Sequence, residues 1–208
     1  MRYTSVFDNE TNENTFLVYD ENTKKGIIID PGCELNKIEK MIEENGVTVK
    51  YIFITHCHYD HIENLISLKE KTKALIAASE KGSKNIGDPL VNLTVQGLGY
   101  AIKGINADVV LKDGEIFSLD SLKIKCIYTP GHTDCGICYY IDNELFCGDT
   151  LFLRSVGRTD LPTSNIKSLE KSIKEKLYVL PDETNVHPGH GHDTTIGYEK
   201  KYNFFVKL

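Results

Sequence analysis

The stretch His56-Cys57-His58-Tyr59-Asp60-His61 places three imidazoles and one carboxylate within six residues. It directly follows residues 49–55, a nearly continuous apolar and β-branched run that is typical of a strand buried on both faces. Imidazoles and a carboxylate crowded at the end of a core strand need partners, and divalent metal ions supply them together. The stretch therefore predicts a metal site at the end of a buried strand.

Three later segments end in the same residue types, each just after an apolar β run. A lone His-x-His is usually a solvated loop, but loops at strand ends gather active sites, and here six of the seven histidines lie in such segments. These segments favour one shared site. They are Tyr128-Thr129-Pro130-Gly131-His132, Phe146-Cys147-Gly148-Asp149 and Val186-His187-Pro188-Gly189-His190.

The periodicity of apolar residues predicts a layered α/β protein with two stacked sheets and helices outside. The length of 208 residues and the lack of a Pro/Gly/Ser-rich linker predict one domain over residues 1–208. Residues 79–106 are expected to form a loop with some helix or strand. The predicted strands are 15–19, 26–29, 49–55, 74–78, 109–111, 115–119, 122–128, 137–141, 145–147 and 184–186; the predicted helices are 35–45, 62–68 and one from about 164.

The composition excludes several classes of protein. A net charge of −6 and a pI of about 5.7 disfavour nucleic acid as a partner, because such proteins present basic surfaces. Spanning a bilayer takes roughly 20 consecutive apolar residues, and the sequence has no such segment, so no membrane association is expected. The segment Met1 to Ser5 opens no secretory signal, which predicts a cytoplasmic protein. No apolar surface stripe beyond those needed for the core indicates an oligomeric state.

Six cysteines are too few for a disulfide scaffold in a chain of this length. Cys33, Cys57, Cys126 and Cys147 lie in or beside apolar runs, which predicts small buried hydrophobic side chains. Cys135 and Cys138 have the C-x-x-C spacing of a redox pair, but the sequence around them has no thioredoxin-like context. That alternative stays open.

The spacing His-x-His-x-Asp-His, followed by a Gly-His, a Gly-Asp and a late Gly-His, resembles the metallo-β-lactamase superfamily along the whole chain. Four local segments resemble its short glyoxalase II-like hydrolases. The resemblance implies a four-layered αββα sandwich with metals at one edge. The segments are residues 28–32, 146–152, 157–160 and 188–191.

The resemblance also implies a role for each residue. His56, His58 and His132 would bind the first metal ion, Asp60, His61 and His190 would bind the second, and Asp149 would bridge the two. A carboxylate suits a bridge because each oxygen can hold one of two cations about 3.5–4 Å apart. Zinc is the expected metal, with iron or manganese as alternatives, since this donor set accepts all three.

The implied reaction is hydrolysis of a small acyl thioester by a hydroxide that bridges the metals, with catalytic Asp60 orienting or deprotonating the water. The chain ends sixteen residues after His192, without the C-terminal helical domain that helps glyoxalase II hold glutathione, so another thiol ester, ester or lactone is an alternative. His58, where a glutamate would mark the di-iron flavoproteins, disfavours that branch. Asp149, where β-lactamases resemble one another in carrying a cysteine, disfavours antibiotic hydrolysis, and the acidic charge disfavours nucleases.

Two rival functions remain. Persulfide dioxygenases look alike in motif but bind one iron through residues equivalent to His56, His132 and Asp149. A non-catalytic metal-binding protein of the same fold is the other alternative. Outside the motif, His187 and His192 are expected to be core or surface histidines, and Arg158 and Asp160 to form a structural ion pair.

Overall fold

The first sheet of this computed structural model, which describes residues 1–207, contains six strands: β1 (Arg2–Phe7), β2 (Asn14–Tyr19), β3 (Lys25–Ile29), β4 (Thr48–Phe53), β5 (Leu75–Ser79) and β6 (Val109–Leu111). Their order in space is their order in sequence. The strands β1, β2 and β3 pair antiparallel, whereas β3, β4, β5 and β6 pair in parallel. The parallel strands therefore end at one edge of the sheet.

The second sheet also contains six strands: β7 (Ile116–Leu119), β8 (Leu122–Tyr128), β9 (Ile137–Ile141), β10 (Glu144–Gly148), β13 (Asn185–Pro188) and β14 (Thr194–Thr195). Their spatial order is β14-β13-β10-β9-β8-β7. The pair β10 and β13 is parallel, so these two strands also end at a common edge. A small hairpin of β11 (Leu151–Phe152) and β12 (Ser155–Val156) lies between them in sequence.

Eight helices connect the strands: α1 (Leu35–Asn45), α2 (Tyr59–Ile62), α3 (Leu65–Thr72), α4 (Glu80–Asn85), α5 (Pro89–Asn92), α6 (Thr94–Leu98), α7 (Ile166–Ser172) and α8 (Ile196–Tyr202) among the described residues. A π-helical turn, Ile173–Leu177, continues α7. The first helix ends where the sequence predicts. Gly46 there has φ 63° and donates its N–H to the carbonyls of Ile42 and Glu43.

Successive side chains of a strand point to opposite faces of the sheet, and this alternation produces the layers. Phe16 and Val18 of β2 face the second sheet, whereas Leu17 and Tyr19 face the helices on the other side. Tyr139 of β9 fills the space between the sheets and donates its hydroxyl to the Ile54 carbonyl at 2.7 Å. Fully burying each such large apolar side chain contributes roughly 1.5–3 kcal/mol to folding.

Helices cover both outer faces. Ile38 of α1 and Leu68 of α3 pack against the first sheet, and Leu169 of α7 and Ile196 of α8 pack against the second. The predicted αββα sandwich is therefore confirmed.

The differences from the predicted elements lie in weakly apolar segments. The strand β1 has a mostly exposed, polar-rich sequence because it is an edge strand, and its pattern does not predict a strand. The helix α8 and the two-residue strands β11, β12 and β14 are likewise absent from the predicted elements. Residues 79–106 contain three short helices, as the mixed pattern allowed. None of the helices in residues 1–207 is long and apolar enough to cross a membrane.

His187 on β13 is a core histidine that faces away from the other strand-end histidines. Its ring stacks on Phe146 at a centroid distance of 5.0 Å, and its Nε2 lies 2.6 Å from Glu144 Oε2. Its Nδ1 lies 3.1 Å from Asp193 Oδ1. Burial acts against the charged ring, but the hydrogen bonds with Asp193 and Glu144 outweigh it and raise the pKa of His187.

Glu144→Gln should remove a pH-dependent part of the stability. Because the pKa of His187 is raised in the native state, its stabilisation is complete below the unfolded-state pKa of about 6.5 and disappears as the pH rises through the native value. We expect a loss of about 1–2 kcal/mol in the free energy of unfolding near pH 5.5, and a smaller loss near pH 9. Urea unfolding at both pH values measures it, with Glu70→Gln on the exposed face of α3 as the control. A loss that is equal at both pH values contradicts this explanation.

Candidate metal centre

All seven sequence-predicted ligands lie in segments that follow strands at one edge of the sandwich. His56 and His58 follow β4, and α2 begins directly after His58, so that Asp60 and His61 turn back toward the same edge. The remaining three follow β8, β10 and β13 and are His132, Asp149 and His190. The strand ends therefore bring the predicted residues into one place.

The first cluster consists of His56, His58 and His132, all buried. One ring nitrogen from each lies within 4.8 Å of the others. The Nδ1 of His58 faces the Nε2 of His132 at 2.9 Å. The three rings therefore direct nitrogen atoms at a common point.

The second cluster consists of Asp60, His61 and His190, whose ligand atoms also lie within 4.8 Å of one another. The Nε2 atoms of His61 and His190 are 3.3 Å apart, and the Nε2 of His190 is 3.2 Å from Asp60 Oδ2. Asp60 and His190 are partly exposed, so this cluster is more open to solvent than the first.

Asp149 lies between the two clusters. Its Oδ2 is 3.5 Å from His132 Nε2 in the first cluster and 3.7 Å from His190 Nε2 in the second. Its Oδ1 is 3.4 Å from His61 Nε2. This is the position that a carboxylate shared by two cations has to occupy.

The donor atoms fit metal ions because several have no other partner. His56 Nε2 and Asp149 Oδ1 are buried without a hydrogen-bond partner among residues 1–207. Burial, reinforced by the neighbouring His132, lowers the pKa of His58 to about 3, so this ring is neutral and one of its two nitrogens has a free lone pair. Burial likewise lowers the pKa of His56. Although burial opposes it, the charge of His61 holds the pKa of Asp149 well below its usual range.

Asp30, at the end of β3, supports the site, although no pattern in the sequence predicts a functional role for it. Its Oδ2 lies 2.9 Å from His61 Nδ1, and its Oδ1 accepts the Thr55 N–H at 2.7 Å. The Thr55 hydroxyl also donates to this carboxylate. A carboxylate at Nδ1 fixes the tautomer that leaves Nε2 free for a metal. The only sequence signal for it is the Asp30-Pro31-Gly32 segment in the resemblance.

Main-chain carbonyls support two further histidines in the same way. The Nδ1 of His132 lies 2.8 Å from the Arg158 carbonyl oxygen, and the Nδ1 of His190 lies 2.9 Å from the Thr11 carbonyl oxygen. Because a main-chain carbonyl only accepts hydrogen bonds, each contact places the ring proton on Nδ1. Every residue has a main-chain carbonyl, so the sequence does not indicate which residues make these two contacts.

Gly189 and Gly148 allow the close approach of main chain to the site. A Cβ atom on Gly189 would lie 2.5 Å from Asp149 Oδ1 and 2.6 Å from His61 Cε1. Gly148 has φ +49°, and its Cβ would lie 2.2 Å from Thr55 Oγ1. The Gly-Asp and Gly-His pairs of the motif therefore reflect steric limits as well as chemistry.

A cavity of about 430 Å³ opens beside the two clusters. Leu93 contributes from the α5–α6 connection, and Arg158 and Leu161 contribute from the segment after β12. A second cavity, of about 670 Å³, shares Phe152 and His190 with the first. The clusters therefore face a cleft with room for a small molecule on two sides.

The residues outside the motif behave largely as structural groups. Arg158 makes a bidentate ion pair with Asp160, with Nε to Oδ1 at 2.7 Å, and both side chains are more than half exposed. His192 is exposed at the second cavity. Such exposed pairs contribute little to stability.

Comparison with known proteins identifies the family. The sequence profile of the metallo-beta-lactamase superfamily matches residues 8–192, and the chain belongs to this superfamily of metal-dependent enzymes. The hydroxyacylglutathione hydrolase GloC of Haemophilus influenzae is 34% identical over 201 residues, covering 93% of this chain and 92% of the relative. The probable metallo-hydrolase YqgX of Bacillus subtilis is 34% identical over 194 residues, covering 92% and 90%.

Solved structures support the same fold. The B3 metallo-beta-lactamase BLEG-1 matches with a TM-score of 0.92 and 28% identity, covering 100% of both chains. ETHE1 from Myxococcus xanthus matches with a TM-score of 0.82 and 32% identity, covering 98% of this chain and 84% of that one. The di-iron-bound form of TTHA1623 matches with a TM-score of 0.81 and 32% identity, covering 98% and 100%. Proteins with different names thus share this framework.

Asp30→Asn should weaken metal binding about 10–100-fold, because an amide neither carries the charge nor fixes the His61 tautomer as the carboxylate does. Competition with a chromophoric chelator measures the affinity. Asp20→Asn is the matched control, since Asp20 is equally buried but lies before β3, at the strand end remote from the site. Equal metal affinity in the two variants would show that Asp30 does not act through His61.

Proposed function

We propose that this protein is a binuclear metallohydrolase that cleaves an acyl thioester, with zinc as the first candidate metal. The observation that carries the proposal is the pair of three-ligand clusters with the Asp149 carboxylate between them. A relative named hydroxyacylglutathione hydrolase, 34% identical over nearly the whole chain, supports the thioester.

Each cluster would hold one ion: His56, His58 and His132 the first, and Asp60, His61 and His190 the second, with Asp149 shared. Metal ions in such a pair supply a hydroxide nucleophile near neutral pH and polarise the substrate carbonyl. Asp60 lines the cleft and is partly exposed, so its carboxylate is available to orient a water or hold its proton. Burial acts to raise the pKa of Asp60, but the contact with His190 and the charge of His61 outweigh it, and the lowered pKa keeps Asp60 ionised as a base.

The cleft supports a small substrate rather than a polymer. Tyr59 and Leu161 provide apolar surface in the cavity beside the clusters, and Arg158 provides a cation that is already paired with Asp160. The segments 79–106 and 154–165 both border this cavity, through Leu93 and through Arg158 and Leu161. These segments would select the acyl group and the thiol.

Removal of the metal should abolish thioester hydrolysis and its return should restore it. We expect purified protein with about two metal ions per chain to hydrolyse a thioester such as S-lactoylglutathione, and to lose activity at least about 100-fold after chelation, because the hydroxide and the carbonyl polarisation are both lost. Elemental analysis beside the assay tests this, with zinc, iron and manganese returned separately. A chelated protein that keeps its full rate contradicts the proposal.

His190→Ala should lower both the metal content and the rate, because it removes a donor of the second cluster. We expect kcat/KM for a thioester to fall on the order of 100-fold or more, with loss of about one metal ion per chain. The matched control is His192→Ala, two residues away and exposed, which should keep its metal. Equal metal content in both variants would remove His190 from the ligand set.

The second candidate is a persulfide dioxygenase with one iron held by His56, His132 and Asp149. The match to ETHE1 at 32% identity favours it. Protein purified with about one iron per chain that consumes oxygen with glutathione persulfide, and leaves thioesters intact, would replace the hydrolase proposal.

The sequence excludes antibiotic hydrolysis on the basis of Asp149, and the match to a B3 metallo-beta-lactamase is a reason to test this exclusion. That exclusion stays a prediction, and the assay panel therefore includes a β-lactam and a lactone beside the thioesters. Turnover of none of them by metal-loaded protein would favour a non-catalytic metal-binding role.

A further inference from the structure

Cys57 and Cys135 are 78 positions apart in sequence, yet their Sγ atoms lie 3.7 Å apart. Both side chains are buried, with 0% and 2% exposure. The C-x-x-C spacing instead suggests Cys135 with Cys138. In the fold, the Sγ of Cys138 lies 3.1 Å from Thr129 Oγ1 and 3.6 Å from the Cys147 carbonyl oxygen. The fold therefore selects a different partner for Cys135.

This thiol pair lies directly behind the first ligand cluster. Cys57 stands between His56 and His58 in the chain, and Cys135 stands three residues after His132. A bond between the two sulfurs would join the two segments that supply all three histidines of the cluster. Any change in their separation therefore acts on the ligand positions.

Two polar groups contact the sulfur of Cys135. The Thr133 hydroxyl lies 3.3 Å from Cys135 Sγ, and the two thiols lie within hydrogen-bond distance of each other. Hydrogen-bond donors stabilise the thiolate, which is the nucleophilic form of cysteine. Cys57 is the neighbouring thiol that can resolve an oxidised Cys135.

We propose that Cys57 and Cys135 form a peroxide-oxidisable dithiol that closes to a disulfide and ties the two ligand-bearing segments together. The Cys135 thiolate attacks one oxygen of hydrogen peroxide, the O–O bond breaks, and a sulfenic acid and one water form after protonation. The Cys57 sulfur then attacks the sulfenic sulfur, the S–O bond breaks, and a second water leaves. Both sulfurs are oxidised and the peroxide is reduced.

Closure changes the geometry of the ligand cluster. A disulfide has an S–S length of about 2.05 Å, well below the 3.7 Å separation of the free thiols, so closure requires rotation of the two side chains or movement of the two segments. Because His56 and His58 flank Cys57, this rearrangement acts on the main chain that carries them. The expected result is weaker metal binding in the oxidised protein, reversed by a dithiol reductant. This consequence rests on the proposed metal-binding role, whereas the crosslink itself does not.

The experiment exposes the full-length, metal-loaded chain to hydrogen peroxide, alkylates the remaining thiols and maps the unreduced tryptic peptides by mass spectrometry. Cys57 is the single cysteine of tryptic peptide 51–69, and Cys135 lies in peptide 126–154 with three other cysteines. We expect these two peptides to be joined, with fragment spectra placing the bond at Cys135. The wild-type map alone decides the crosslink, even if a variant fails to fold.

The variants Cys57→Ser and Cys135→Ser should each abolish this crosslink, and Cys138→Ser is the matched control that keeps it. Metal affinity, measured by chelator competition, should fall at least about tenfold after oxidation and recover with dithiothreitol in wild type and Cys138→Ser only. A Cys135–Cys138 bond, or six fully alkylated thiols after excess peroxide, would overturn the dithiol. Unchanged metal affinity in the crosslinked protein would overturn its effect on the ligands.

These readouts do not depend on turnover. A protein that forms the crosslink and hydrolyses no thioester would contradict the proposed function but not the dithiol proposal. A thioesterase that forms no crosslink would do the reverse.

Discussion

The structure depends on a concentration of nitrogen and oxygen donor atoms at one edge of the sandwich, where His56 Nε2, His58 Nε2 and Asp149 Oδ1 have no hydrogen-bond partner among residues 1–207. Nitrogen atoms of His58 and His132 face each other at 2.9 Å, and those of His61 and His190 at 3.3 Å. Without a shared proton or cation, such pairs repel each other, and buried polar atoms without partners cost several kcal/mol. An edge built this way is stable when cations occupy the common points. The rest of the molecule can be understood as the framework that holds these atoms in place.

That framework works through backbone as much as through side chains. The ends of β4, β8, β10 and β13 deliver the proposed ligands to one edge, and the parallel pairs β3–β4 and β10–β13 align their strand ends there. Behind the rings, Asp30 and the carbonyls of Arg158 and Thr11 fix which nitrogen faces inward. The hairpin loop before β2 thus contributes to the site without supplying any ligand. Gly189 permits the last turn to approach closely enough.

Relatives and structural neighbours of this chain carry different names: a hydroxyacylglutathione hydrolase, an ETHE1 and a B3 metallo-beta-lactamase. The framework alone therefore does not determine the reaction, and under the proposed function the surface around the proposed ligands would select the substrate. Here that surface includes two cavities that share Phe152, Ser155 and His190. The dithiol behind the first cluster adds chemistry that the ligand set does not require, at a place where it acts on ligand geometry.

Much of this protein is determined by local sequence. The runs of apolar residues predict most strands and helices, including α1 with its Gly46 cap, because burial on one face imposes a period on the residues themselves. The proposed ligands are recognisable because their residue types cluster after those strands. The edge strand β1 and the helix α8 escape prediction, since their sequences carry little such period. Only the tertiary structure decides which residues meet: Asp30 with His61, the Thr11 carbonyl with His190, and Cys57 rather than Cys138 with Cys135. The physical reason is that these contacts arise from strand register and sheet stacking, which join residues far apart in the chain and leave no mark on the residues between them.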